Sequence, residues 1–209
     1  MTDDVDTMLA DIAAHYDNVE TSTLQNPTTR TARYVSYMQR AAEELWYHRA
    51  WPFAMAVAPI TMVAGAVALP TDFARVGPEG AVLDSRGMPW VEISFQDMAY
   101  LRTRRLQQAQ HLFCIGPTLQ VVNVASTETF TIIYQITAPE IATGATTGFP
   151  IPFSHALLLG TVMKLKEEEG DARDIWRRDY FSALAKATAL WTQASRPQRM
   201  PKTVPGRMW

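Results

Sequence analysis

Apolar residues recur at three- and four-residue steps in four stretches of the chain, two toward each end, and each stretch predicts an amphipathic helix. Residues 3 to 17 carry Val5, Met8, Leu9, Ile12, Ala13 and Tyr16 in this rhythm, with acids early, where the positive end of a helix dipole favours them. The polar run NVETSTLQN (18 to 26) reads as a loop. Asn26-Pro27 then starts a second helix, asparagine as cap and proline in the first turn. Its stripe is Tyr34, Met38, Ala41, Leu45 and Trp46, and it is expected to end near Ala50. Pro52 stops it, because the residue before a proline is pushed out of the helical region. Near the other end, Ser154 is placed to cap a helix carrying Leu157, Leu158, Val162 and Leu165, closed by Gly170. A fourth helix opens at Asp171 and sets Trp176, Tyr180, Leu184, Ala187 and Trp191 on one face.

The middle hundred residues follow a different rhythm. MAVAPITMV, AVALP, AVLD, PWVEIS, HLFCI, TLQVVN and TFTIIYQI are short, rich in β-branched and aromatic residues, and bounded by Gly, Pro, Asn or Ser. The steps VAG (63 to 65) and IGP (115 to 117) are turn signals, and SFQDMAYLRTRRLQQAQ (94 to 110) predicts a short arginine-rich helix between strands. TAPEIATGATTGFP (137 to 150) reads as a turn-rich connector. The expected architecture is α+β: a four-helix bundle from the two chain ends (1 to 50 and 141 to 195), a small antiparallel β-domain inserted at 51 to 140, and an extended tail from 196 to 209. Three prolines in SRPQRMPKTVPGRMW forbid a regular helix there.

Composition narrows the class. Hydrophobic content of 47% and charge of 19% fit a chain of 209 residues that buries a real core. A net charge of −2 gives no overall reason to expect a nucleic-acid or membrane partner. The charge is nonetheless uneven. Asp3, Asp4, Asp6, Asp11, Asp17 and Glu20 precede the first cation, whereas Arg196, Arg199, Lys202 and Arg207 end the chain without an acid. Such asymmetry marks interaction segments. The single cysteine, Cys114, excludes an internal disulfide and a cysteine-based zinc site. No basic region followed by an apolar run marks a signal peptide, and no apolar run reaches the ~20 residues that cross a bilayer. The expectation is a soluble intracellular product.

Chemistry is hard to find. His15, His48, His111 and His155 show no metal-ligand spacing, and Glu43-Glu44 and Glu167-Glu168-Glu169 read as solvated helix faces. His111 and Cys114 sit three apart in a predicted strand and would face opposite ways. Nucleophile elbows, phosphate loops and dinucleotide fingerprints are absent from the sequence, so neither catalytic residues nor a cofactor or metal is assigned. Two basic features remain. Arg102, Arg104 and Arg105 cluster in the β-block, read as solvated or intersubunit charges, with phosphate binding as the rival. The tail carries Arg196, Arg199, Lys202 and Arg207 with the anchors Met200, Val204, Met208 and Trp209, residues suited to a protein groove.

The order of these features resembles the head-to-tail adaptor (connector) proteins of tailed bacteriophages. The resemblance rests on a helix running into WPF, an apolar strand, a glycine turn and LPTDF (46 to 73). G-x-x-L-x-V (116 to 121) follows, in a hairpin ending in IIYQI, and then FPIPFSHALLLGTVMKLKEEEGD (149 to 171) and the long last helix. Together these span most of residues 30 to 191. NVASTETF stands where such hairpins often carry a proline.

The resemblance implies a structural, non-enzymatic virion protein of the neck, assembled in the host cytoplasm. It implies a ring of identical subunits, commonly a dodecamer, stacked under the portal protein and followed by a tail, nozzle or tail-terminator protein. Genomic DNA would pass through the lumen without sequence readout, and there would be no membrane partner. The tail residues Arg196, Arg199, Met200, Lys202, Val204, Arg207, Met208 and Trp209 would then dock into the portal. Trp51, Pro52, Leu69, Pro70, Asp72 and Phe73 would be the hinge that locks the β-domain at one angle. Asp3, Asp4, Asp6, Asp11, Arg102, Arg104 and Arg105 would be lumen or intersubunit charges. The rivals are another neck or tail ring such as a tail terminator, a nucleic-acid-binding regulator, and an enzyme with a cryptic site.

Overall fold

The structure, a computed structural model, describes residues 2–17, 27–61, 67–78, 81–104, 112–115, 119–122, 129–170 and 174–194. The chain divides into two compact units, residues 1–43 with 139–209 and residues 44–138.

The helical unit begins with strand β1 (Thr2–Asp4), which runs directly into α1 (Val5–Asp17). Asp4 makes that transition abrupt: its carboxylate accepts from the Thr7 backbone N–H at 3.3 Å, satisfying one of the donors a helix start leaves open. Helix α2 (Pro27–Tyr47) starts at the proline, as Asn26-Pro27 predicts, and its last turn, from Glu44, falls in the second unit. After strand β9 (Thr146–Pro150) and a short 3-10 turn come α4 (Ser154–Glu168) and α5 (Asp174–Ala194). β1 pairs antiparallel with β9. Helix α4 is the most enclosed element, with Ala156, Leu157, Leu158, Gly160, Thr161, Val162, Met163 and Leu165 buried. At Gly160 a β-carbon would lie 3.1 Å from the Tyr180 ring, so glycine is what lets α4 and α5 approach this closely. Gly170 ends the α4 segment with φ +76°, the left-handed conformation that favours glycine.

The second unit holds the strands. β2 (Met55–Thr61), β3 (Phe73–Val76), β4 (Val82–Leu83) and β8 (Thr129–Ile136) form an antiparallel sheet in which β8 is central, flanked by β2 on one side and by β3 and β4 on the other. Pro59 sits in β2, which among the described residues pairs with β8 alone. Edge strands tolerate a residue without an N–H, and such a proline discourages further strand pairing. A second sheet orders β5 (Val91–Glu92), β6 (Leu112–Ile115) and β7 (Leu119–Val122). Helix α3 (Phe95–Arg104) lies between β5 and β6, and Ser94 caps its start: its hydroxyl accepts from the Asp97 N–H at 3.1 Å and donates to the Asp97 carboxylate at 2.7 Å. The core joins both sheets through Ile60, Val82, Trp90, Phe113, Phe130 and Ile132, with the Trp90 and Phe130 ring centroids 4.6 Å apart.

The α+β class holds, but the expected four-helix bundle from the chain ends does not describe the structure. Five helices are present among the described residues, one of them inside the strand-rich unit, and the chain-end unit contains its own two-stranded sheet. Periodicity missed that sheet for a physical reason. Thr2–Asp4 is too short to show alternation and abuts a helical stripe, and the glycine-rich stretch around β9 looks like a turn. The inserted block is not wholly antiparallel either, because β5 and β6 run parallel. A helix between two strands can return the chain to the same end of a sheet, and α3 occupies that place. Ser154 does not cap α4. Its hydroxyl is buried without a hydrogen-bond partner among the described residues.

Candidate functional site

Helix α2 ends at Tyr47, and the chain reaches β2 through Trp51 and a 3-10 turn (Pro52–Ala54). Trp51 is fully buried. Its indole N–H donates to the Leu45 carbonyl at 2.7 Å, filling one of the acceptors that a helix end leaves open. The Phe53 ring stacks on it with centroids 5.8 Å apart, and the Arg49 guanidinium lies 4.3 Å from the ring centre. Pro52 has no N–H to lose at the first position of the turn.

Strand β8 meets the same helix end. Gln135, buried in β8, donates from Nε2 to the Trp46 carbonyl at 2.6 Å and accepts from Arg75 Nε at 2.5 Å, while Arg75 also donates to the Tyr47 carbonyl at 3.3 Å. Trp46 returns the contact, its indole donating to the Ile136 carbonyl at 2.8 Å. The LPTDF segment is tied in next to it. Pro70 O accepts from Phe73 N, the Asp72 carbonyl accepts from Thr137 N at 2.8 Å, and the Asp72 carboxylate accepts from the Tyr134 hydroxyl at 3.0 Å. The Phe73 ring stacks on Tyr134. Desolvation, with help from that acceptor, raises the Tyr134 pKa. Leu69 packs against the core of this unit. Trp51, Asp72 and Phe73, three of the residues expected to act as a hinge, lie at one corner of this unit, where the end of α2, on its way to β2, shares hydrogen bonds with the end of β8. The sequence singles out Trp51 and the LPTDF residues at this corner but not Gln135 and Arg75. The available signal was the lone amide side chain in the strand TFTIIYQI.

A second cluster lies in the helical unit at the C-terminal end of α4. Tyr16 donates to the Glu169 carboxylate, Arg33 pairs with Glu168 at 2.9 Å, and Arg177 pairs with Glu167 at 2.9 Å. Lys166 lies 4.3 Å from the Tyr16 ring centre. Burial, with help from the hydrogen bond to Glu169, pushes the Tyr16 hydroxyl up to about 12. The Tyr37 hydroxyl and Arg33 hold Glu168 below the ordinary carboxylate range, and Tyr16 does the same to Glu169. Each acid has a basic or hydroxyl partner, so the run of three glutamates is a clasp between helix ends rather than acid–base machinery.

The other singled-out residues do not converge. Asp6 and Asp11 lie exposed along α1, Asp6 accepting from Gly144 N at 3.1 Å, while Asp4, also exposed, ends β1 and the backbone of Asp3 is in β1. Positions 102 and 104 are two apart on α3, and such positions do not share a helix face. Arg105, His111 and the tail residues Arg196, Arg199, Met200, Lys202, Val204, Arg207, Met208 and Trp209 lie outside the described residues. Two grooves accompany these features. One of about 580 Å³ is lined by Trp90, Pro78, Pro89, Phe113 and Glu92. The other, about 260 Å³ between α1 and α4, is bordered by Asp4, Asp11, Ser154 and His155. Among the described residues, no three His, Cys, Asp or Glu side chains are grouped to hold a metal ion, and no helix is long and apolar enough to cross a membrane.

Comparison with known proteins matches the two units together. No curated protein sequence matches the chain significantly. The family of the SU10 adaptor protein matches residues 3–205, nearly the whole chain. With that match running through the α2–β2–β8 corner, the clasp at α4 and most of the C-terminal segment, the chain belongs to the SU10 adaptor family of phage head-to-tail adaptors, structural components of the virion.

Proposed function

We propose that copies of this chain form a ring, commonly a dodecamer in such adaptors, which docks beneath the portal protein and receives the tail on its other side, leaving a channel for DNA. The observation that carries this function is the family match along residues 3–205. The α2–β2–β8 corner supports it. A closed ring requires every protomer to present its surfaces at the same angle. Hydrogen bonds from Trp51, Gln135 and Arg75 to the carbonyls of three consecutive residues at the α2 end, Leu45, Trp46 and Tyr47, give that corner one geometry. In this role Trp51, Pro52, Leu69, Pro70, Asp72 and Phe73 are the hinge.

The C-terminal segment is the portal-docking element. Arg196, Arg199, Lys202 and Arg207 supply charge, and Met200, Val204, Met208 and Trp209 supply anchors of the types enriched in interface cores. Repetition around a ring multiplies each modest contact through effective concentration. Asp3, Asp4, Asp6, Asp11, Arg102, Arg104 and Arg105 are lumen or intersubunit charges, and DNA passes them without sequence readout.

Cryo-electron microscopy of this protein mixed with the portal protein encoded beside it tests the function. Stacked symmetric rings, with density from each C-terminal segment entering the portal, are expected. A chain lacking residues 196 to 209 should keep its fold by circular dichroism and lose portal decoration. Full decoration by the truncated chain would refute the docking role of the segment, and no association by the intact chain at any salt concentration would refute portal docking altogether.

A further inference from the structure

Helix α4 packs against both α1 and α5. It turns about 100° per residue, so Leu158 and Glu169, which face α1, point nearly opposite to Gly160 and Glu167, which meet α5. The helical unit therefore has α1 on one flank and α5 on the other, and the two flanks carry different surfaces.

The α5 flank is apolar and basic. Ile175, Phe181 and Leu190 are about half exposed, at 48%, 53% and 47%. These large side chains border a strip of small exposed residues, Ser182, Ala185 and Ala189. Arg178 and Lys186 are the exposed cations beside them. Phe181 and Leu190 stand on opposite edges of this strip, nine residues and half a turn apart, and Ile175, Arg178 and Lys186 lie on the arc between them, a mixed apolar and charged surface of the kind used in association.

The α1 flank is small and acidic. Its outward positions Thr7, Ala10 and Ala14 leave room for bulky partners, with Asp6 and Asp11 to either side. Beside it runs the groove of about 260 Å³ bordered by Asp4 and Asp11. Ser154 and His155 form the α4 wall of this groove.

We propose that α5 of one copy seats on the α1–α4 groove of the next. Phe181 lies against the small-residue face of α1, and Arg178 and Lys186 meet Asp11 and Asp4. Because the two complementary surfaces lie on opposite flanks of one protomer, the contact is heterologous and propagates from copy to copy, as a ring requires. The assignment rests on the ring function above and adds which faces of the chain meet.

The oligomeric state of the full chain tests it, read by light scattering after size exclusion at low ionic strength and high micromolar concentration. The wild-type chain should self-associate. Phe181→Glu, at an exposed position, should keep the helical circular-dichroism spectrum and weaken association by at least about tenfold. Arg178→Glu with Lys186→Glu should weaken it comparably, and adding Asp11→Lys to that chain should recover most of the loss, which a merely local effect on α5 would not do. Unchanged association in Phe181→Glu, or no recovery on adding Asp11→Lys, overturns the α5–α1 contact. A wild-type chain that stays monomeric here yet decorates the portal overturns this contact and leaves adaptor function standing. Self-association without portal decoration counts against the adaptor function alone.

Discussion

The side-chain amide of Gln135 donates to the backbone carbonyl of Trp46 at 2.6 Å, and both groups are removed from water. Trp46 lies in the last turn of α2, where carbonyls have no partner within the helix. Gln135 supplies one, and its oxygen meanwhile accepts from Arg75. Replacing it with leucine keeps the volume but strands both the carbonyl and part of the guanidinium. Gln135→Leu should therefore cost about 1–3 kcal/mol, measured as a lowered urea midpoint with an unchanged slope. An unaltered midpoint would mean that water or another group already serves that helix end.

Trp51 separates two contributions. Trp51→Ala removes a fully buried indole and should cost about 3–5 kcal/mol. Trp51→Phe retains a ring against Phe53 and loses mainly the bond to the Leu45 carbonyl, so it should cost only about 1–2 kcal/mol. Thermal unfolding of the two variants gives the order. Equal losses would place the value of Trp51 in its N–H rather than its packing.

Legibility in the sequence followed the length of the signal. The helices α2, α4 and α5 each repeat a stripe over several turns, and Pro27 and Gly170 punctuate them, so their existence could be read directly. The β1–β9 pair could not. One partner has three residues and the other contains Gly148, whose φ of +74° and close approach to Pro139 are tertiary demands. At the corner, Trp51 and Pro52 stood out because a helix does not run on through the residue before a proline, whereas Gln135 gains its meaning only when β8 is brought to the end of α2 from 89 positions away. The α1–α4 groove was illegible for the same reason, since Asp11 and Ser154 become neighbours only through packing.

The clasp at α4 predicts a stability plateau with two edges. The hydroxyl donors and Arg33 depress the folded-state pKa of Glu168 and Glu169. Their contribution is therefore complete above the unfolded carboxyl value of about 4.3 and is lost as pH falls through the lower folded values. Tyr16 is raised instead, to about 12, so its contribution is complete below the unfolded value of 10.0 and is lost as pH rises from there to about 12. Denaturant titrations across the alkaline range should show wild-type stability falling between those values. Tyr16→Phe, lacking an ionisable hydroxyl, should lose that part of the decline. If both chains decline identically, the hydrogen bond to Glu169 is not formed in solution.

Binding to DNA discriminates adaptor function from the regulator rival. A regulator needs several cations on one face, because each phosphate contact releases counterions and adds to affinity. Positions 102 and 104 of α3 do not share a helix face, and the net charge of the whole chain is −2. A protein that lets DNA pass should also avoid holding it. Fluorescence anisotropy with a labelled duplex should thus give, at physiological salt, a dissociation constant no tighter than the roughly 10⁻⁶ to 10⁻⁴ M of sequence-independent binding. Arg102→Ala with Arg104→Ala should change it little. Tighter binding, falling steeply with salt and lost in that double variant, would instead make α3 a phosphate-binding element and argue for contact with DNA as the chain's main task.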